Sequence, residues 1–151
     1  MNSRDIIVIF ILAILIITTS TFYFILAQNE YENLIEFATE GLVGEIPELQ
    51  IEVVLFAGSG IVYLGILGWI LLKRLKSILP YTTLIIVSLV LIITYAASRT
   101  IGVPIIGVEF YIGKYDMITK VLQGIIIAIS GFLLYEIKKG SSSRQEETIK
   151  K

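Results

Sequence analysis

Cysteine and histidine are both absent from the 151 residues. Their absence removes disulfides, thiol nucleophiles, the commonest general base and the usual soft-metal and haem ligands. Charge is scarce too, with Asp, Glu, Lys and Arg at 17% of the chain against roughly 25% in soluble domains. The apolar set makes up 56%, 12 glycines add to it, and mean hydropathy is +0.86. No ordinary soluble core needs that much apolar surface. The Lys and Arg residues form no aromatic-interleaved patch, which excludes nucleic acid as a partner.

The apolar residues fall into long uncharged blocks. A hydrocarbon core of about 30 Å needs about 20 helical residues, because every backbone N–H and C=O must be satisfied internally where water is absent. Four segments meet that length: 6–27, 53–72, 81–97 and 118–137. Pro80 suits a helix start just before the third. The expected fold is an all-α membrane protein, a four-transmembrane-helix bundle forming one domain over 1–139. The polar stretch 140–151 is expected to be a disordered cytoplasmic tail. Arg4 and the apolar run after it resemble a secretory signal, but the run exceeds the roughly 7–15 residues of a signal core. A retained signal-anchor is expected.

The loops carry charge of opposite sign. Arg4, Lys73, Arg74, Lys76, Lys138, Lys139, Arg144, Lys150 and Lys151 flank the side of both termini, and Arg99, Lys114 and Lys120 the other. Positive charge beside a span is held inside, so both termini are expected in the cytoplasm of a multi-pass cell-membrane protein. Nine acids against three bases leave the outer side at −6, while the inner side carries +5. The first outer loop holds seven glutamates and no base. Within it, Tyr31, Leu34, Ile35, Ala38 and Leu42 recur at helical spacing with Glu32, Glu36 and Glu40 on another face, which predicts a short amphipathic outer helix.

Small residues allow helices to approach closely in lipid. Gly58, Gly60, Gly65 and Gly68 in the second span, and Gly124, Ala128 and Gly131 in the fourth, are the expected seams of the bundle. The string Ala57-Gly58-Ser59-Gly60 also suggests a serine-protease motif, but without histidine the usual dyad cannot form.

The second outer loop, 98–116, is too apolar for a water-exposed loop and too rich in Gly and Pro for a helix, so it is expected to fold back onto the bundle. Ser88, Tyr95 and Ser98 form a polar stripe ending at Arg99, and Lys120, Gln123 and Ser130 form a second one. The candidate outer polar cluster is Tyr95, Arg99, Glu109, Asp116, Lys120 and Gln123. Salt bridges between loops account for its charges in one version. In the other, Arg99 and Lys120 grip an anionic group while Gln123 and Tyr95 offer hydrogen bonds.

Ser98-Arg99-Thr100-x-Gly102-x-Pro104, followed by Glu109, Gly113 and Asp116, resembles the loop before the last helix in small four-span membrane proteins of uncharacterised function in actinobacteria and archaea. The resemblance covers about a fifth of the chain, Ser98–Gly131, and departs at Val103, where such loops often carry Leu. It implies a four-span fold and brings no activity with it.

Three functions compete. The first is a non-enzymatic accessory or assembly subunit, with the bilayer and a larger membrane protein as partners. The second is a homo-oligomeric transporter or channel for a small solute or ion; Thr18-Thr19-Ser20-Thr21 is its pore-lining candidate, although no span carries a charge at its midpoint. The third is an outer-leaflet lipid- or anion-binding protein or enzyme, with Glu109 or Asp116 as base beside Arg99 and Lys120. No cofactor and no metal site is expected.

Overall fold

The computed structural model describes residues 3–42, 44, 46–102 and 113–149. Among them there are four long α-helices, α1 (Ser3–Glu40), α2 (Ile46–Lys73), α3 (Leu79–Thr100) and α4 (Lys114–Ile149), and no strand. Each contains one of the expected spans and is long and apolar enough to cross a membrane, α4 through Lys139. Outward faces are greasy rather than polar: Val54, Phe10, Ile93 and Leu72 are among the many large apolar side chains left exposed. A solvent-facing surface of that kind would aggregate; a lipid-facing one is stable.

The buried positions obey a 3–4 spacing. In α1 they include Ile9, Leu12, Ile16, Thr19, Tyr23 and Leu26; in α2, Gly60, Tyr63, Leu67 and Ile70; in α3, Tyr81, Leu84 and Ser88; in α4, Thr119, Gln123, Ile126, Ser130 and Leu133. That period keeps one narrow stripe of each helix on its neighbours, as in antiparallel bundles. Several polar residues of the spans lie on these inner stripes, where hydrogen bonds can satisfy them. Ser20 Oγ donates to Gly60 O at 2.8 Å, and the Tyr63 and Ser88 hydroxyls share a hydrogen bond of 2.7 Å. α2 packs mainly along α1 and α3 along α4, while α2 and α3 meet sparsely. Arg4 reaches Glu136, so the N-terminal arm and the far part of α4 lie at the same end of the bundle.

Helix ends follow local chemistry. Pro80 sits in the first turn of α3, where its missing N–H costs nothing. Gly41 and Gly102 follow α1 and α3 with φ of +75° and +79°, and Leu42 N–H and Gly102 N–H close back onto Phe37 O and Ala97 O at 3.0 Å. This is the left-handed cap that glycine accepts without a Cβ penalty.

Three expectations differ from what is found. The glycines are not the seams of this bundle. Only Gly60 is packed, its missing Cβ position lying 3.0 Å from the Phe24 ring; a Cβ at Gly58, Gly65, Gly68, Gly124 or Gly131 would meet nothing within 4 Å, and Ala128 is exposed. The seams instead use the 3–4 stripe, and the other glycines of these spans lie off it. Second, the stretch expected as a separate outer helix is the distal part of α1, which runs unbroken for 38 residues, about 57 Å at 1.5 Å per residue. No Gly or Pro interrupts it before Gly41. Third, α4 continues as helix through Ile149, into the stretch expected to lack structure; Arg, Gln and Glu there are good helix formers.

Candidate functional site

At the loop end, the four helices enclose a cavity of about 530 Å³. Its floor is aromatic and its upper wall is charged. Tyr95 projects from α3 and Lys120 from α4, one and a half turns into the helix or about 9 Å below its start. Lys120 Nζ lies 5.0 Å from the Tyr95 ring centroid and 5.5 Å from that of Tyr23, and donates to Tyr23 Oη at 3.2 Å. Arg99 covers the other side of Tyr95, with Cζ 5.0 Å from the ring centre. The negative faces of two phenol rings thus hold two cations in a partly dehydrated place.

Asp116 neutralises one of them. Its Oδ2 lies 3.5 Å from Arg99 Nη2, and both side chains are largely shielded, at 13% and 15% exposure. Gly113 makes room for this carboxylate, since a Cβ there would stand 2.8 Å from Oδ2. Lys120 differs from Arg99. Among the described residues no carboxylate reaches it at ion-pair distance, and its hydrogen-bond partner is the neutral Tyr23 hydroxyl.

Below this level Gln123 is fully buried and donates through Nε2 to Tyr23 Oη at 2.7 Å. Its Oε1 has no partner among the described residues, nor has the buried hydroxyl of Tyr95. Buried polar atoms are nearly always paired, and Tyr95 lines the cavity, so its hydroxyl is a group that a polar ligand there would satisfy. Tyr23 also stacks on Tyr63 at 6.0 Å, which continues the polar ladder down to Ser88.

The facing wall is acidic. Glu30 from α1 and Glu52 from α2 line the cavity opposite Arg99, Lys114 and Lys120. With Asp116 included, three acids balance three bases, so the lining is neutral overall, with its positive charge on the α3/α4 wall. It is unsuited to a polyphosphate.

The structure therefore gathers Tyr95, Arg99, Asp116, Lys120 and Gln123 from the expected cluster. Glu109, and the loop expected to fold back, lie outside the described residues. Sequence reasoning missed Tyr23, Glu52 and Tyr63. A tyrosine inside an otherwise apolar span was the available signal, because its hydroxyl needs a partner in hydrocarbon. The Thr18–Thr21 hydroxyls do not form one polar face: those of Thr18, Thr19 and Thr21 donate to their own helix and that of Ser20 to Gly60 O. The Ser59 hydroxyl donates to Leu55 O at 2.7 Å. Glu32, Glu36 and Glu40 belong to no metal-holding group, and none occurs among the described residues. No family model matches the chain, and neither a curated protein nor a solved structure is similar to it.

Proposed function

We propose that this chain is a binding protein for a monoanionic head group, held in the loop-end cavity at the outer leaflet of the cell membrane with both termini cytoplasmic. The observation that carries this is Lys120, caged between two tyrosine rings with no carboxylate at ion-pair distance among the described residues. A desolvated cation costs several kcal/mol unless a counter-charge accompanies it. A phosphodiester or carboxylate beside Lys120 supplies that charge, and its oxygens accept from Lys120 Nζ and from the orphaned Tyr95 hydroxyl. Orientation rests on the nine bases at the end where the termini gather.

Nanodiscs of phosphatidylcholine with a minor fraction of phosphatidylglycerol test the binding. Native mass spectrometry should find phosphatidylglycerol retained by the wild type and reduced at least about tenfold, or about 1.4 kcal/mol, in Lys120→Gln. Equal retention by both would overturn it. Labelling of Glu40→Cys and Lys150→Cys in this cysteine-free chain tests the orientation: access from outside at 150 and none at 40 would reverse it.

A second reading, the accessory subunit, is favoured by the small outward faces of α2 (Gly65, Gly68) and α4 (Gly124, Ala128, Gly131), where none of the described residues fills the space beside the four glycines. A partner helix could approach closely there. Gly68→Leu and Gly131→Leu should then release a stoichiometric membrane partner that copurifies with the wild type; an unchanged complex contradicts this role.

A further inference from the structure

The sparse meeting of α2 and α3 leaves a groove of about 330 Å³ between them. Val54, Gly58 and Val62 form one wall, and Ile86 and Val87 the other. Among the described residues that line it Ser59 is the only polar one, and its hydroxyl donates to Leu55 O at 2.7 Å. The groove opens sideways: Val54, Val62, Ile86 and Val90 are all exposed on the lipid-facing surface. It adjoins the charged cavity, since Leu55, Ser59, Val90 and Leu91 line both.

Its dimensions select an occupant. From Val54 to Val62 the groove follows about 12 Å of helix, so 330 Å³ corresponds to a channel about 6 Å across. A helix with its side chains is about 10–12 Å wide and cannot enter. An extended hydrocarbon chain can. A polar chamber beside a dry slot that faces the bilayer has the two-part layout of an amphiphile, and lateral opening gives it a route in that avoids water.

We propose that the ligand is an acyl-chain lipid taken from the bilayer, with its anionic head group beside Lys120 and one chain lying in the α2/α3 groove. This rests on the head-group reading and adds the source of the ligand and its path of entry. A water-soluble anion of the same charge would use the chamber alone and gain nothing from the groove.

The full chain in the same nanodiscs tests it with two variants. Gly58→Phe fills the groove from a position where a Cβ meets nothing within 4 Å. It should lower retention of long-chain phosphatidylglycerol at least about tenfold and abolish the preference for long-chain over dihexanoyl phosphatidylglycerol. Unchanged retention in Gly58→Phe with loss in Lys120→Gln would overturn the groove and leave the head-group site standing. Retention in both variants would overturn the site itself.

Should Gly58→Phe fail to fold, phosphatidylglycerol carrying a mid-chain diazirine reads the wild type directly. Crosslinks confined to 54–62 of α2 and 86–91 of α3 support the proposal. Crosslinks spread evenly over the outward faces of α1 and α4 contradict it, as does a disulfide-linked dimer formed in high yield by Gly58→Cys, which would show a second copy of the chain on this groove.

Discussion

At the end that gathers the chain termini, Arg4 meets Glu136 at 3.1 Å with side chains 62% and 28% exposed; at the loop end, Arg99 meets Asp116 at 3.5 Å with 15% and 13% exposed. Arg4 also lies over Phe132, as Arg99 lies over Tyr95. The residue types are nearly the same, but only the loop-end pair sits in a cavity beside a second cation and orphaned hydrogen-bonding atoms. Distance alone would rank the two pairs wrongly. Exposed pairs are screened by water and contribute about 0–1 kcal/mol, whereas removing one member of a buried pair strands the other charge.

The largest contrast is expected from the arginines themselves. Arg99→Met should cost about 3 kcal/mol and Arg4→Met less than about 1 kcal/mol, measured by thermal denaturation of the full chain in mild detergent. Equal, small losses would mean that water reaches both pairs alike. Glycines give the next contrast. Gly60→Leu drives a side chain into the Phe24 ring and should cost about 1–3 kcal/mol, while Gly68→Leu should change stability by less than about 0.5 kcal/mol. A large loss at Gly68 would show that its outward face is packed in the intact assembly.

Smaller effects resolve the polar ladder. Tyr63→Phe removes the 2.7 Å hydrogen bond to Ser88 and should cost about 0.6 kcal/mol, the average for such bonds in membrane bundles; no change would place water between the two hydroxyls. Gly113→Ala moves the Asp116 carboxylate away from its present position and should cost under about 1 kcal/mol. Combined with Arg99→Met it should add nothing, because both act on one pair. Full additivity would show that Gly113 acts on the backbone instead.

Four spans were legible because length and apolarity alone decide whether a helix can cross a bilayer. The third span was identified despite its short core, and Pro80 was rightly placed at its start. Tyr95 shares its helical phase with Ser88, and Lys120 with Gln123, which made the two polar stripes themselves legible. Which face of each helix turns inward was harder to read. Nearly every position in these spans is apolar, so the usual contrast between a greasy inside and a polar outside is missing, and glycine was given a weight that it does not carry. The usable contrast is inverted: Ser20, Tyr23, Tyr63, Ser88 and Gln123 point inward because hydrocarbon offers them no partner. Glu52 was hidden for another reason. Counting it among the acids of the outer loop obscured that α2 begins at Ile46 and carries it into the wall of the cavity.

The decisive measurement compares lysines at the two ends of one molecule. Amine acylation of the full chain, read residue by residue by mass spectrometry, would be carried out in nanodiscs with and without phosphatidylglycerol. Lys120 should be protected at least about tenfold by the anionic lipid, while Lys73, Lys76, Lys138 and Lys139, which sit at the other end, change less than about twofold. Protection of all five lysines to the same degree would reduce the effect to surface charge and contradict a head-group site at Lys120.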